Sequence, residues 1–330
     1  ILPDGQFIWS GYSLITPSII PSGTGSSGKV SLKYFLDKKL SGDYDGVLSF
    51  KFEINMSKNK SPNPNCTYQP PKIWHHQAVD VSIGGKFANI NQPTSGARYQ
   101  KSLPRGDKPY QFYSLNTPNG VKVNIILEEL KALECLDFDA FKIDIMTGEQ
   151  FGTDFVSINP NSKIPALVDY SDETPINIFE SGAILLYLAK KYQKFLPEDL
   201  VENAKVLSWL MWQMGSAPFL GGGFGHFYAY APYPMEYPIN RYALEVKRQM
   251  DVLDKHLANY QYMAQEYSIA DMAIYPWYGW LVLGKLYVGD DYDAKTFLQT
   301  DNYQNIVRWA QLIARRPAVQ KAENLILNSI

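Results

Sequence analysis

Two hydrophobic periods divide this chain, and their order limits the folds open to it. From Tyr110 to about residue 190, short strand-like runs alternate with helical ones; from Val201 onward the pattern is helical throughout. Tyr110-Gln111-Phe112-Tyr113-Ser114-Leu115 reads as a strand and Thr117-Pro118-Asn119-Gly120 as a turn. Val123, Ile126, Leu127, Leu130 and Leu133 then fall on one helical face. A second strand is expected at 138–145, a short helix near 151–156, a third strand after Pro165, and a fourth at Ile176-Asn177-Ile178-Phe179. Glu180-Ser181 opens a helix carried by Ile184, Leu185, Leu188 and Ala189. This order calls for a helix-covered sheet at 106–197 followed by an all-α domain at 198–330.

The chain has 330 residues, more than the roughly 100 to 200 of one ordinary domain, which agrees with two packed parts plus further segments. With 45% hydrophobic and 19% charged residues, it can build real cores and is not a disordered chain. Its net charge of -2 supplies no basic field for a polyphosphate, so nucleic acid is not an expected partner. The two cysteines, Cys66 and Cys135, form neither a disulfide framework nor a C-x-x-C pair; a reducing cytoplasm is expected, and no structural metal. The longest apolar stretch, 271–285, is shorter than the ~20 residues of a membrane span and contains Pro276; it reads as a buried helix. No basic segment followed by an apolar block opens the chain, so no secretory signal is read there.

Residues 1–55 differ from the rest. Ser, Gly and Pro cluster between Pro17 and Gly28, and the runs 29–34 and 47–54 alternate as strands do. The first methionine, Met56, opens a polar Asn/Pro-rich stretch, and 56–105 reads as a linker and arm. Two readings of 1–55 stay open: a small β module, or upstream sequence joined to a protein whose natural start is Met56.

Three short motifs carry the chemistry. Thr117-Pro118-Asn119-Gly120 lies where a strand passes into a helix, so free N–H groups and the positive end of the helix dipole face a ligand there. Such a turn favours a thiolate, as at helix N-termini that lower cysteine pKa values. Lys163-Ile164-Pro165 precedes a strand, a place compatible with a cis proline and an outward backbone at Ile164 that pairs with a peptide ligand. Glu180-Ser181 sets a carboxylate, a hydroxyl and free N–H groups at another helix start, suited to the ammonium and carboxylate of an amino acid. Each motif alone is weak, since Pro-Gly turns and N-caps are common.

Together the three resemble the glutathione site of glutathione S-transferases. Gly84-Gly85-Lys86-Phe87-Ala88-Asn89-Ile90-Asn91, Asn159-Pro160-Asn161-Ser162-Lys163-Ile164-Pro165-Ala166-Leu167, Phe179-Glu180-Ser181-Gly182 and 217–227 extend the likeness to the bacterial nu class, over residues 68–322. The resemblance implies a thioredoxin-like α/β N-terminal domain, an α-helical glutathione-transferase C-terminal domain, a homodimer, and glutathione as substrate with no metal. It implies reduction of small disulfides by two bound glutathiones, with weak peroxidase and transferase activity. It places catalytic roles on Thr117 and Asn119, and glutathione contacts on Asn89, Asn91, Gln150, Lys163, Ile164, Glu180, Ser181 and Arg241, with an arm from Gly84 to Arg98 covering the site. Val121 departs from the family, which usually has Gln or His there. A glutathione-binding protein without turnover and a conventional transferase acting on electrophiles remain alternatives.

The remaining motifs are read as structural. Gly221-Gly222-Gly223 lacks the Gly-Lys-Ser/Thr of a phosphate loop; it is expected to bend a helix beside the pocket, where Phe224, His226, Phe227, Tyr228 and Tyr230 wall a second ligand. Tyr267-Ser268-Ile269-Ala270-Asp271-Met272 reads as a capping box, with Tyr267 stapled to Met272. His75 and His76, adjacent and without partners, read as surface residues. Pro232, Pro234 and Pro238 are expected to break the helix before Arg241.

Overall fold

The computed structural model describes residues 91–329, together with 71–75, 87 and 90, and the backbone of two strands near the N-terminus. The chain divides into two compact units, Ile1–Trp74 and His75–Ile330. In the first, β1 (Val30–Tyr34) and β2 (Leu48–Phe52) pair antiparallel, with Leu32 opposite Phe50. These strands lie within the two alternating runs; the rest of 1–55, Cys66, His76, 84–86 and Asn89 fall outside the described residues.

The second unit is built on a four-stranded sheet. β3 (Tyr110–Ser114) lies between β4 (Phe138–Lys142), to which it is parallel, and β5 (Ala166–Asp169), to which it is antiparallel; β6 (Ile176–Phe179) closes the order β4-β3-β5-β6. α1 (Pro118–Ala132) joins β3 to β4, α2 (Thr153–Ile158) precedes β5, and α3 (Ser181–Tyr192) follows β6. Alternate β3 residues face opposite ways: Phe112 enters the large core, Tyr113 a smaller one with Phe141, Phe155 and Val168.

α1 departs from its expected amphipathicity. Every residue from Gly120 to Leu130 is buried, because α6 and α10 of the helical part cover the side that the sheet does not. Leu133, counted among its buried face, is 50% exposed just past the last turn.

The helical part begins with α4 (Leu200–Pro218), capped by Asp199, whose carboxylate accepts from the N–H groups of Val201 and Glu202 at 3.0 Å. It runs into wider π-helical turns over Phe219–Tyr230, where the glycine run was expected to bend the helix. α5 (Glu236–Leu257) follows, with Pro238 inside its first turn, where a missing N–H loses no helical bond; only Pro232 and Pro234 precede the helix. The apolar stretch forms α6 (Ile269–Ile274), π-helical turns at Tyr275–Gly279 around Pro276, and α7 (Trp280–Val282), nearly all of it buried. α8 (Ala294–Phe297), α9 (Gln304–Ala314) and α10 (Pro317–Glu323) complete the unit. Among the described residues no helix is long and apolar enough to cross a membrane. The large core runs unbroken from Phe112 and Leu127 through Leu185 and Leu210 to Ile274 and Trp309, so the sheet part and the helical part share one interior.

Candidate functional site

Thr117 is the N-cap of α1, and its Oγ1 accepts from the Gly120 N–H at 3.4 Å. With the oxygen engaged there, the hydroxyl hydrogen remains to donate elsewhere. Gly120 is obligatory: a Cβ would strike the Leu115 carbonyl oxygen. No carboxylate sits in the first turn of α1, so the positive end of its dipole has no compensating charge from the helix itself.

Asn119 is oriented from the helical part. Its Oδ1 accepts from the Trp277 indole Nε1 at 3.0 Å. An indole nitrogen only donates, so the amide must turn its oxygen to Trp277 and its Nδ2 away, where that group has no partner among the described residues. Trp277 in turn needs Gly221, since a Cβ there would lie 2.6 Å from its ring carbon Cη2. Sequence reasoning missed Trp277, one more aromatic in an apolar stretch, and gave Gly221 only a bending role.

The second motif is braced from within. Asn159, 1% exposed, donates from Nδ2 to the Lys163 carbonyl at 2.5 Å and accepts from the Asn161 N–H at 2.9 Å. Ile164–Pro165 is a cis peptide, as the sequence allows. The backbone N–H and C=O of Ile164 have no partner among the described residues, and Lys163 is exposed. Asn161 Nδ2 donates to Glu180 Oε1 at 3.4 Å, linking this loop to the third motif.

At that motif, Glu180 has φ 68° and makes no side-chain cap to α3, which leaves the first-turn N–H groups of α3 uncapped by it. Beneath it, Ser181 Oγ lies 3.4 Å from Lys122 Nζ, and Lys122 donates to Gln213 Oε1 of α4 at 2.7 Å. Lys122 is 1% exposed, and burial pushes its ammonium down to about 7, with Glu180 pulling the other way. Lys122 and Gln213 were also missed; a lone Lys in a helical run reads as solvent-facing until something covers it. Lys122 sits one turn beyond Asn119 on α1, and from it polar contacts lead through Ser181 and its neighbour Glu180 to Asn161 and the Lys163-Ile164 loop.

Other predicted residues lie outside that chain. The arm is anchored at two places: Phe87 packs edge-on against Tyr230, ring centres 5.2 Å apart, and Arg98 sets its guanidinium 3.3 Å above the Phe151 ring while donating to the Ile90 carbonyl at 3.0 Å. Asn91 is exposed between these anchors. Gln150 is 3% exposed, its Nε2 donates to the Ile145 carbonyl at 3.4 Å, and its buried Oε1 has no partner among the described residues. Arg241 is exposed, without a hydrogen bond or ion pair among the described residues. Phe224 does not line a surface: it is fully buried, stacked on Tyr228 at 4.9 Å, because the wide turns rotate it into the core. His226 and Tyr228 are half-buried. Val121 is fully buried, so its side chain faces the core and not the turn. Cys135 follows the far end of α1. The described residues contain no metal-binding group of His, Cys, Asp and Glu.

The capping box is present, with Ser268 Oγ accepting from the Ala270 N–H and Asp271 accepting from the Ser268 N–H, from Met263 N–H and from Trp309 Nε1. Tyr267 packs edge-on against Phe195 and lies beneath the Arg316 guanidinium, 3.7 Å from its ring centre.

Residues 109–190 match the family model of the glutathione S-transferase N-terminal domain. The disulfide-bond oxidoreductase YghU of Escherichia coli K12 is 54% identical over 258 residues, 77% of this chain and 87% of the relative. A crystal structure of the glutathione transferase YghU from Streptococcus pneumoniae, complexed with glutathione, superposes with a TM-score of 0.76 at 52% identity, over 80% of this chain and 99% of that one. A glutathione transferase from Pseudomonas putida, with one glutathione disulfide per subunit, gives a TM-score of 0.61 at 39% identity over 67% of this chain and 94% of the other. With its four-stranded thioredoxin-like sheet, its helical second part and relatives of this identity over most of their length, the chain belongs to the glutathione S-transferase family.

Proposed function

We propose that this chain is a glutathione-dependent disulfide-bond oxidoreductase that reduces small disulfides with two bound glutathiones. The observation that carries the reading is the start of α1, where Thr117 stands in place of a thiol and Asn119 is turned by Trp277 to present a free donor. The reacting sulfur then comes from the ligand, and the uncompensated helix end favours its thiolate.

In the first step the glutathione thiolate attacks one sulfur of the substrate disulfide; a glutathionyl mixed disulfide forms and the other sulfur leaves as a thiolate that takes up a proton. A second glutathione thiolate attacks the glutathione sulfur of that mixed disulfide, releasing the remaining thiol and forming glutathione disulfide. The chain's residues hold and orient: the Ile164 backbone pairs with the cysteinyl part of the ligand, Glu180 and Ser181 take its amino-acid end, and Arg241, Lys163, Gln150 and the arm asparagines Asn89 and Asn91 supply further contacts. His226 and Tyr228 border the second ligand. The names and ligands of the relatives support the disulfide and glutathione parts of this reading; weak peroxidase and transferase activity, a homodimeric assembly and a cytoplasmic location are proposed with it.

Steady-state rates with 2-hydroxyethyl disulfide, an organic hydroperoxide and an aryl halide, at one glutathione concentration, test the proposal. The disulfide should be turned over fastest. An aryl halide consumed faster than the disulfide would make the chain a conventional transferase, and no turnover of any of the three would leave it a binding protein.

A further inference from the structure

Lys122 is a buried cation without a carboxylate partner. Its Nζ meets two neutral oxygens, Gln213 Oε1 at 2.7 Å and Ser181 Oγ at 3.4 Å, and makes no ion pair among the described residues. Gln213 is itself fully buried, and its Nε2 has no partner among the described residues. Buried lysines are ordinarily paired, because an isolated ammonium in the interior is strongly disfavoured. Here the missing counter-charge lies in one direction. Above Lys122 stand the Ser181 hydroxyl and the N-terminus of α3, left uncapped by the Glu180 side chain.

α4 holds this arrangement closed from below. Gly182 lets α4 approach so near that a Cβ would lie 2.8 Å from Met214 Sδ, and Gln213 is the adjacent residue. Glu180 is the charged group that bears on Lys122 among the described residues, and α6 and α10, which also pack on α1, bring none to it.

We propose that Lys122 is a positioning residue for the α-carboxylate at the γ-glutamyl end of glutathione, binding of which supplies the anion that the buried ammonium lacks. This rests on the reading of Glu180-Ser181 as the seat of that end of the ligand. By donating to Ser181 Oγ, Lys122 leaves the hydroxyl hydrogen free to point at the carboxylate, so its charge acts through one hydroxyl. A coupling to protons follows. Burial holds the free ammonium down to about 7, and a carboxylate placed over Ser181 raises it, so above neutrality binding takes up a proton.

The test uses S-methylglutathione, whose blocked thiol cannot release a proton of its own. Titration calorimetry at about pH 8, in buffers of different ionisation enthalpy, should show the wild type taking up more than about half a proton per ligand bound. Lys122→Met should lose most of that uptake and bind about tenfold or more weakly. An analogue lacking the α-carboxylate, 4-aminobutyryl-S-methylcysteinylglycine, should bind both proteins equally. Equal affinity for S-methylglutathione in wild type and variant, or a wild type that takes up no proton, overturns the proposal; the second measurement stands even if Lys122→Met does not fold. A wild type that binds no S-methylglutathione overturns the glutathione reading of the site, and this inference with it.

Discussion

The N-terminus of α1 and that of α6 are built from similar materials and differ in what remains unused. At α6 the cap is closed: Ser268 and Asp271 serve each other and the first turn, and Asp271 also takes N–H groups from Met263 and Trp309. At α1 the cap is open: Thr117 reaches Gly120 through a long 3.4 Å bond, Asn119 Nδ2 has no partner among the described residues, and no acidic residue occupies the first turn. Each site recruits a tryptophan from elsewhere in the chain, with opposite results. Trp309 completes a buried network, whereas Trp277 occupies the oxygen of Asn119 and thereby aims its nitrogen away. A satisfied cap stabilises a helix; a cap held with donors to spare is open to a ligand.

The contrast is sharpest where stability and activity separate. Asp271→Ala should have the largest effect, lowering unfolding free energy by about 3 kcal/mol or more, because several buried donors lose their acceptor at once. Urea denaturation measures it, and the folded fraction should keep its normal constants for glutathione. A variant of wild-type stability would mean that the α6 cap is not the structural one of the pair.

Asn119→Ala should do the reverse. Turnover or glutathione affinity should fall about tenfold or more, since a hydrogen bond to an ionised group is worth roughly 1.5 to 3 kcal/mol. Stability should fall less than in Asp271→Ala, since a single indole N–H loses its acceptor. Unchanged kinetics and unchanged binding by calorimetry would remove Asn119 from the site.

A smaller loss, about threefold in turnover, is expected for Trp277→Phe, which keeps the ring but frees the amide to rotate. Gly221→Ala should act the same way by displacing the indole, and neither change should add to Asn119→Ala. Additive effects in the double variants would show that Trp277 acts on something other than Asn119. The least effect belongs to the thiols. Cys66→Ser with Cys135→Ser should leave disulfide reductase activity nearly intact, since α1, 15 residues long, separates Cys135 from the turn by about 22 Å at ~1.5 Å per residue. A loss above about tenfold with the fold intact would put a protein thiol into the cycle and overturn the two-glutathione scheme.

Local patterns carried the α/β order, the four strands of the sheet, the capping box at Ser268 and the three motifs proposed to face the ligand. These depend on short-range rules: period, turn residues and capping preference act within a few residues of one another, so the amino-acid order alone reveals them. The spacing of Val123, Ile126, Leu127 and Leu130 also disclosed the helix that begins at the open cap. It did not disclose that this helix is buried all round, because covering its second side takes α6 and α10, more than 130 residues later in the chain. α4 brought Gln213 to Lys122 as that lysine was buried, and the π-helical turns at Tyr275–Gly279 set Trp277 against Asn119. Phe224 went the other way, from expected wall to core, on the rotation of the π-helical turns. Residue chemistry fixes what each group can donate or accept; which groups are left with a donor or a charge unmatched is settled only when distant segments pack, since burial and partnership are properties of the whole interior.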